Sequence, residues 1–327
     1  MPLMPASLAR LRDLVPARAR VIIDNDFSGD PDGLLQLAHH LLSPSVDIRA
    51  VIGSHLRPGD PFDPSEVTAD NAAREALDVV TRLGLDGHVP VVAGSNVGLA
   101  DRATPIRSAA TDAIIAEAMR DDTDLPLYLA FGAGLTELAS AWLLEPRIAD
   151  RLTLVWIGGP EHRGLAVAPP GSVGPEYNLN IDLIAGQVVF GDSGIPIWQI
   201  PRNAYRQTLL STAELITRIG QAGSLGEHLE RAITRVSTMA GRQGILLGET
   251  YICGDSPLVL LTALQSAFEA DPSSSDYVVR PTPSFDDEGG YIEAAGVRDM
   301  RVYTRLDVRL MFDDLFAKLD LFAATER

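Results

Sequence analysis

The sequence has little of what redox, membrane and nucleic-acid-binding proteins require. Cys253 is its only cysteine, which excludes an internal disulfide and a cysteine-rich metal site. No segment reaches the run of about 18 apolar residues that a membrane span needs. Lysine occurs once, at Lys318, and the formal net charge is −17. A chain this acidic lacks the basic surface that phosphate backbones require, so we predict no nucleic-acid partner. The missing apolar run predicts no membrane.

We also expect no export signal, no linker and no repeat. Residues 1–20 contain no long apolar run of the kind found in secretory signals, and a single cysteine suits a reducing compartment. We therefore expect a cytoplasmic protein. No Gly/Ser-rich linker and no internal repeat divides the chain. With 46% apolar residues in 327, the chain can bury one large core, so we predict a single domain over residues 1–327.

Strand-like and helical patterns alternate along most of the chain. The predicted strands cover residues 21–23, 46–52, 89–92, 127–131, 154–157 and 195–200. The predicted helices cover residues 34–42, 71–83, 112–119, 136–144, 184–190, 258–268 and 307–322. This alternation predicts an α/β fold, with a mostly parallel, open, Rossmann-like central sheet and helices on both faces. From about residue 205 the pattern is mainly helical, and residues 271–290 are predicted to form a surface loop.

An acidic loop follows the first predicted strand. Asp24, Asp26, Asp30 and Asp32 fall within nine residues, at the end of a strand where open α/β sheets bind ligands. Carboxylates this close repel each other unless a cation or a shared proton joins them. Clustered oxygen ligands suit Ca²⁺ or Mg²⁺. The alternative for Asp30 is a structural one, because Asp followed by Pro31 is also a helix-start signal.

Two enzyme classes that could be considered for this loop fit it poorly. Haloacid dehalogenase-like phosphotransferases also place Asp-x-Asp after an apolar strand, but they need a lysine later on the sheet. The only lysine here, Lys318, lies in a predicted terminal helix, and an arginine replaces a point charge poorly. A nicotinamide dehydrogenase is disfavoured because no Gly-x-Gly-x-x-Gly follows the first strand.

Five segments carry motifs in a fixed order along the chain. They are residues 24–33 (DNDFSGDPDG), 131–139 (FGAGLTELA), 157–159 (IGG), 175–182 (PEYNLNID) and 254–257 (GDSP). Each is weakly specific alone. Together they resemble the inosine-uridine-preferring nucleoside hydrolase family, whose corresponding motifs are DxDPGxDD, TGxLTNLA, MGG, AEFN followed by D, and HDP. The resemblance extends over roughly residues 20–265.

The resemblance implies an enzyme that cleaves the N-glycosidic bond of a ribonucleoside or related ribosyl compound with a calcium-activated water. Asp26 would be the base that takes the water's proton. The implied calcium ligands are Asp24, Asp26, Asp30, Asp255 and the backbone carbonyl of Thr136. The implied ribose-binding residues are Asp32, Glu176, Asn178 and Asp255. The family also implies a homo-oligomer and a role in purine or pyrimidine salvage.

The chain departs from the family pattern at the predicted metal site. Gly33 stands where the family has the second of two adjacent aspartates, which is a calcium ligand. A glycine has no side chain to offer a metal. Asp30 or Asp32 would therefore have to replace that ligand.

A second departure lies on the side of the leaving base. Gly254 stands where the family has the histidine that protonates this base, and His55 and His162, near predicted strand ends, are the alternatives. The ribose-binding motifs are better retained. We therefore predict a substrate other than a common purine or pyrimidine nucleoside. The rival interpretation is a ribosyl-binding protein that has lost turnover.

Overall fold

Eight strands form one central sheet in the order β3-β2-β1-β4-β5-β6-β12-β9. The structure is a computed structural model that describes residues 6–242, 244–268 and 271–324. The strands are β1 Ala19–Asn25, β2 Val46–Gly53, β3 Val91–Ala93, β4 Leu127–Phe131, β5 Thr153–Ile157, β6 Ile197–Ile200, β7 Leu209–Ser211, β8 Thr250–Ile252, β9 Asp276–Pro281, β10 Ser284–Phe285, β11 Tyr291–Ile292 and β12 Asp299–Arg305. All neighbours in the central sheet are parallel except β9, which pairs antiparallel with β12.

Helices cover the sheet on both faces. They are α1 Ala6–Leu14, α2 Asp32–Leu41, α3 Thr68–Arg82, α4 Ala109–Ala118, α5 Thr136–Leu144, α6 Leu183–Gln187, α7 Arg202–Tyr205, α8 Thr212–Glu214, α9 Gly223–Arg242, α10 Pro257–Thr262 and α11 Val308–Ala323. The predicted fold class, an α/β fold with a mostly parallel central sheet, is confirmed. No helix in the described part of the chain has the length and apolarity to cross a membrane.

The central strands are buried on both faces. Successive side chains of a strand point to opposite sides, and in β1 Val21 and Ile23 join one core cluster while Ile22 joins the other. All of them are fully buried. Double burial explains why the parallel strands appear in the sequence as short continuous apolar runs.

The C-terminal portion contains strands that the sequence did not predict, in addition to its helices. β12 inserts beside β6 in the central sheet, and β9 forms the edge strand next to it. β9 lies within the predicted loop at residues 271–290. Its side chains are mostly half-buried or exposed, so it lacks the apolar run of a central strand. The guanidinium of Arg301 lies 4.5 Å from the ring centres of both Trp198 and Tyr277, which joins β12 to its two neighbours.

Two helix boundaries also differ from the prediction. Helix α10 ends at Thr262, whereas the apolar pattern predicted a helix to residue 268. All six of its residues are buried, so amphipathic periodicity gives no signal for where it stops. Helix α2 begins at Asp32 with Pro31 at the capping position, and no side chain caps it.

Buried polar side chains join α2 to the C-terminal helix α11. His39 Nε2 lies 2.8 Å from Asp314 Oδ2, and Lys318 also pairs with Asp314. Lys318 Nζ donates to Ser43 Oγ at 2.8 Å. The only lysine therefore connects α11 to the segment that follows α2, away from the carboxyl ends of the strands. This position offers no support for a phosphotransferase.

The buried position of His39 makes stability depend on pH. Burial lowers the pKa of His39 to about 4, against about 6.5 in an unfolded chain. Between these values the unfolded chain binds a proton that the folded chain does not, so stability is complete above the unfolded pKa and is lost as the pH falls. We expect His39→Gln to lose less stability than the wild type between about pH 7.5 and about pH 4.5 in urea denaturation.

The exposed His88 supplies the matched control. His88→Gln is expected to retain the pH dependence of the wild type, because no buried imidazole is removed. Equal pH dependence in His39→Gln and wild type would contradict the assignment of a buried neutral His39.

Candidate active site

A cavity of about 310 Å³ opens at the carboxyl ends of the central strands. Asp26 follows β1, Gly132 follows β4, and Ile157 ends β5, so the parallel sheet itself brings these residues together. The lining residues are Asp26, Asp30, Asp32, Phe62, Gly132, Ile157, Glu176, Tyr177, Asn178, Tyr205, Ile252, Gly254 and Asp255. The volume lies near the lower end of the range for small-molecule sites.

The loop after β1 contributes carboxylates to this lining. Asp26 is 4% exposed, and its Oδ2 has no hydrogen-bond partner among the described residues. The Tyr251 hydroxyl donates to Asp30 Oδ1. Asp32 opens α2, and its Oδ2 accepts from the backbone N–H of Asp255 at 3.0 Å. Among the cavity-lining carboxylates of this loop, Asp26 therefore has a buried oxygen without a hydrogen-bond partner in the described chain.

Burial raises the pKa of the pocket carboxyl groups. Desolvation is the main cause for Asp26, whose pKa lies well above its ordinary value, and repulsion by Asp255 and Asp30 adds to it. Desolvation followed by the same kind of repulsion raises the pKa of Asp32. Burial raises the pKa of Asp255 to about 7. These groups hold protons more readily than exposed carboxylates do.

Glu176 is held in place from three directions. Its Oε2 accepts from the backbone N–H of Gly159 at 2.8 Å and of Leu179 at 3.1 Å. Its Oε1 accepts from the Tyr205 hydroxyl at 2.7 Å. The carboxylate is 99% buried and rigidly oriented beside the cavity (its relative exposure is 1%).

Asn178 bridges two strand ends. Its Nδ2 donates to the carbonyl oxygens of Gly132 at 2.9 Å and Ile157 at 2.8 Å. Both protons of the amide are then used by the backbone, so Oδ1 is the atom that Asn178 can offer to a bound molecule.

One side of the pocket is aromatic and apolar. Phe62, Tyr177, Tyr205 and Ile252 all line it. The Tyr177 hydroxyl donates to Asp60 Oδ2 at 2.9 Å. Burial raises the pKa of both tyrosines, so their hydroxyl groups stay protonated. This surface suits a flat, largely apolar group.

Two of the predicted calcium ligands lie outside this lining. Asp24 is fully buried, with the Ser54 hydroxyl donating to its Oδ1 and no described partner for its Oδ2. Thr136 opens helix α5, and its hydroxyl donates to Asp182 Oδ2 at 2.7 Å and lies 2.9 Å from His55 Nε2. Thr136 does not line the cavity, and its predicted role, which involves its backbone carbonyl and not this hydroxyl, stays a prediction.

The two alternative histidines are also elsewhere. His55 contacts Thr136, as above, and His162 Nε2 lies 2.7 Å from Gln199 Oε1 while its ring stacks on Tyr291. Gly254 does line the pocket. Within the described ranges, therefore, no histidine faces the cavity from which a leaving group could be protonated directly.

A metal ion does not fit the donors present. Across residues 6–242, 244–268 and 271–324, no group of three or more His, Cys, Asp and Glu side chains is arranged to hold one. Within the described chain, Asp24 Oδ2 and Asp26 Oδ2 are buried oxygens without a partner. Asp26 lines the cavity, whereas Asp24 does not. The side-chain nitrogen of Asn25, at the end of β1, donates to Asp255, so it cannot serve as a metal ligand. Gly33 has no side chain that could act as one.

Several pocket residues were not predicted from the sequence. Tyr205 follows β6, so the rule that ligands bind beyond strand ends could have identified it. Asn25 does not itself line the cavity but donates to Asp255, which does, and this contact with a distant part of the chain gives no local signal in the sequence. Phe62 lies on a connecting segment and Ile252 ends the short strand β8, and neither carries a signal in the sequence.

Comparison with known proteins identifies related chains. The family profile described as inosine-uridine preferring nucleoside hydrolase matches residues 21–278. A purine-preferring ribonucleoside hydrolase from Gardnerella vaginalis is 19% identical, with a TM-score of 0.71 over 94% of this chain and 99% of that one. An inosine-uridine preferring nucleoside hydrolase from Bacillus anthracis is 16% identical, with a TM-score of 0.61 over 93% and 99%. At these identities the structures show a shared fold, and no curated protein sequence matched.

Asn178 offers a test of the pocket's framework. Asn178→Ala removes two hydrogen bonds to buried carbonyl groups, and we expect a loss of about 1–3 kcal/mol in the free energy of unfolding. Asn178→Asp is expected to cost more, since it also sets a carboxylate against two carbonyl oxygens. Urea denaturation measures both.

The neighbouring Asn180 is exposed and provides the control. Asn180→Asp is expected to change stability by less than about 0.5 kcal/mol. A similar small effect for Asn178→Asp would refute the bridging role of Asn178.

Proposed function

The chain belongs to the inosine-uridine preferring nucleoside hydrolase family, and we propose that its pocket cleaves the N-glycosidic bond of a ribosyl compound. The family makes it a hydrolase whose substrates are small nucleoside-like molecules. One observation carries the proposal most directly. Asp26, Asp32, Glu176, Asn178 and Asp255, predicted from separate motifs, all line one cavity at the carboxyl ends of the strands.

Asp26 is the proposed general base. Its Oδ2 has no protein partner within the described chain and belongs to a residue that lines the cavity. Burial and neighbouring carboxylates raise its pKa, which makes it a better proton acceptor than an exposed aspartate. In the reaction the water oxygen bonds to the anomeric carbon while the carbon–nitrogen bond breaks. One water proton goes to Asp26, and the departing group leaves with the electron pair of the broken bond and ultimately takes up a proton.

The remaining polar groups are proposed to hold the ribose. Asp32, Glu176 and Asp255 present carboxylate oxygens, and Asn178 presents Oδ1, all of which can accept from sugar hydroxyls. The transition state of such a cleavage resembles an oxocarbenium ion. Fixed negative charge beside it lowers the barrier because it stabilises the positive charge that develops on the sugar.

The leaving group receives less help than the sugar. Gly254 provides no proton, and the hydroxyls of Tyr177 and Tyr205 already donate to carboxylates. A positioned acid typically contributes about 10²–10⁴ in rate. We therefore infer that the substrate has a leaving group that departs readily, unlike a common purine or pyrimidine nucleoside.

Calcium does not enter this proposal. The acidic loop suits Ca²⁺ or Mg²⁺, and the resemblance to the family implies calcium in this chain. The donors around the cavity do not fit one, so no step is assigned to a metal. The homo-oligomer, the cytoplasmic location and the salvage role stay predictions.

Ribose release tests the proposed function. The wild type is expected to release reducing sugar from at least one member of a panel of nucleosides and p-nitrophenyl riboside. The nitrophenolate leaving group needs no protonation, so the missing histidine would not hide activity. Asp26→Asn keeps the shape of the side chain but removes the base, and we expect its kcat/KM to fall by about 10²–10⁴.

The exposed Asp86 gives a matched control, since Asp86→Asn makes the same chemical change away from the cavity and is expected to leave kcat/KM unchanged. Unchanged ribose release in Asp26→Asn would contradict the role of Asp26. Saturable stabilisation by ribosides without release would favour the non-catalytic binding protein. Release of phosphate from phosphorylated substrates would favour a phosphotransferase.

A further inference from the structure

Asn25 occupies the point where the first strand meets the C-terminal part of the site. It is the last residue of β1 and is fully buried. Its Nδ2 donates to Asp255 Oδ2 at 2.9 Å. An ideal Cβ on Gly33 would lie 2.8 Å from this nitrogen, and one on Gly132 would lie 2.4 Å from it. Two glycines therefore leave just enough room for the amide.

The backbone fixes which end of the amide faces Asp255. Asn25 Oδ1 accepts from the backbone N–H of Asp26 at 2.9 Å. A flipped amide would set its NH₂ group against that N–H and its oxygen against the carboxylate of Asp255. Both contacts would then be repulsive. Asn25 therefore presents a proton donor to Asp255, which is the opposite of what a metal ligand presents.

A series of hydrogen bonds between buried side chains fixes the same orientation of the Asn25 amide. The Thr262 hydroxyl donates to Leu258 O at 2.6 Å, so Thr262 Oγ1 accepts from His40 Nε2 at 2.8 Å. The other ring nitrogen of the neutral His40, Nδ1, then accepts from Gln36 Nε2. This leaves Gln36 Oε1 facing Asn25 Nδ2, at 3.5 Å.

We propose that the Asn25 amide takes the place of a divalent cation in this chain, so that the pocket neither binds nor requires calcium. The inference rests on the proposed function, because it concerns how that site is held together. Asn25 does in part what a cation would do, since it joins the end of β1 to Asp255 with a hydrogen bond. Gly33 stands where the family has an aspartate, so this chain has one carboxylate fewer for a cation to neutralise.

The metal content of the wild type is the first measurement. After dialysis against buffer containing calcium, elemental analysis is expected to find no stoichiometric calcium or other divalent metal. The melting temperature is expected to be the same in calcium and in chelator. A site filled at about 100 times its Kd would instead raise the melting temperature by several degrees. About one bound calcium per chain, with such a rise, would overturn the proposal.

A double variant tests whether calcium binding can be introduced at this site. Asn25→Ala together with Gly33→Asp removes the amide and places a carboxylate in the space beside Asp255. This variant is expected to gain a calcium-dependent rise in melting temperature. Asn25→Ala together with Gly33→Asn has nearly the same shape without the charge and is expected to show none. Equal responses of the two variants to calcium would contradict the proposed replacement.

Both measurements are independent of turnover. Ribose release that persists in chelator agrees with the inference, whereas release that strictly requires calcium overturns it. If no substrate is cleaved with or without calcium, the hydrolase proposal fails, and the metal content and melting temperatures still decide the role of Asn25.

Discussion

One hydrogen bond connects the two ends of the candidate site. Asn25 Nδ2 donates to Asp255 Oδ2 at 2.9 Å across 230 positions of sequence. A second contact, from the backbone N–H of Asp255 to Asp32 Oδ2, anchors the same segment to the start of α2. The strand-end loop and the segment before α10 can therefore face one cavity. A hydrogen bond to a charged group contributes about 1.5–3 kcal/mol, and removing either partner also leaves a buried polar group unpaired.

The central part of the fold was predictable because its strands are buried on both faces. Such strands appear as short apolar runs, and the predicted strand at residues 127–131 coincides with β4 Leu127–Phe131. Helix α5 Thr136–Leu144 also has the predicted bounds. The edge strand β9 was not predicted, since its side chains are half-buried or exposed and its pairing with β12 depends on distant residues. Local patterns report local burial and do not report such pairing.

The candidate site was predictable where its polar residues follow the ends of predicted strands or belong to family motifs. Asp26, Glu176 and Asn178 follow predicted strands or carry family motifs, and the structure brings them to one cavity. Thr136 also belongs to such a motif, but it does not line the cavity, and its hydroxyl donates to Asp182. The role of Asn25 could not be predicted, because its meaning depends on the direction of an amide. That direction follows from hydrogen bonds to segments far away in sequence.

The chain departs from the family pattern both at the metal site and on the side of the leaving group, and one explanation can cover both. Gly33 is neutral where the family has a metal ligand, and Gly254 is inert where a proton donor would assist the leaving group. A cation and an acid both lower the barrier most for substrates whose leaving group departs reluctantly. If the natural leaving group departs readily, the sugar-side carboxylates and Asp26 can supply most of the remaining stabilisation. One property of the substrate would then account for both departures.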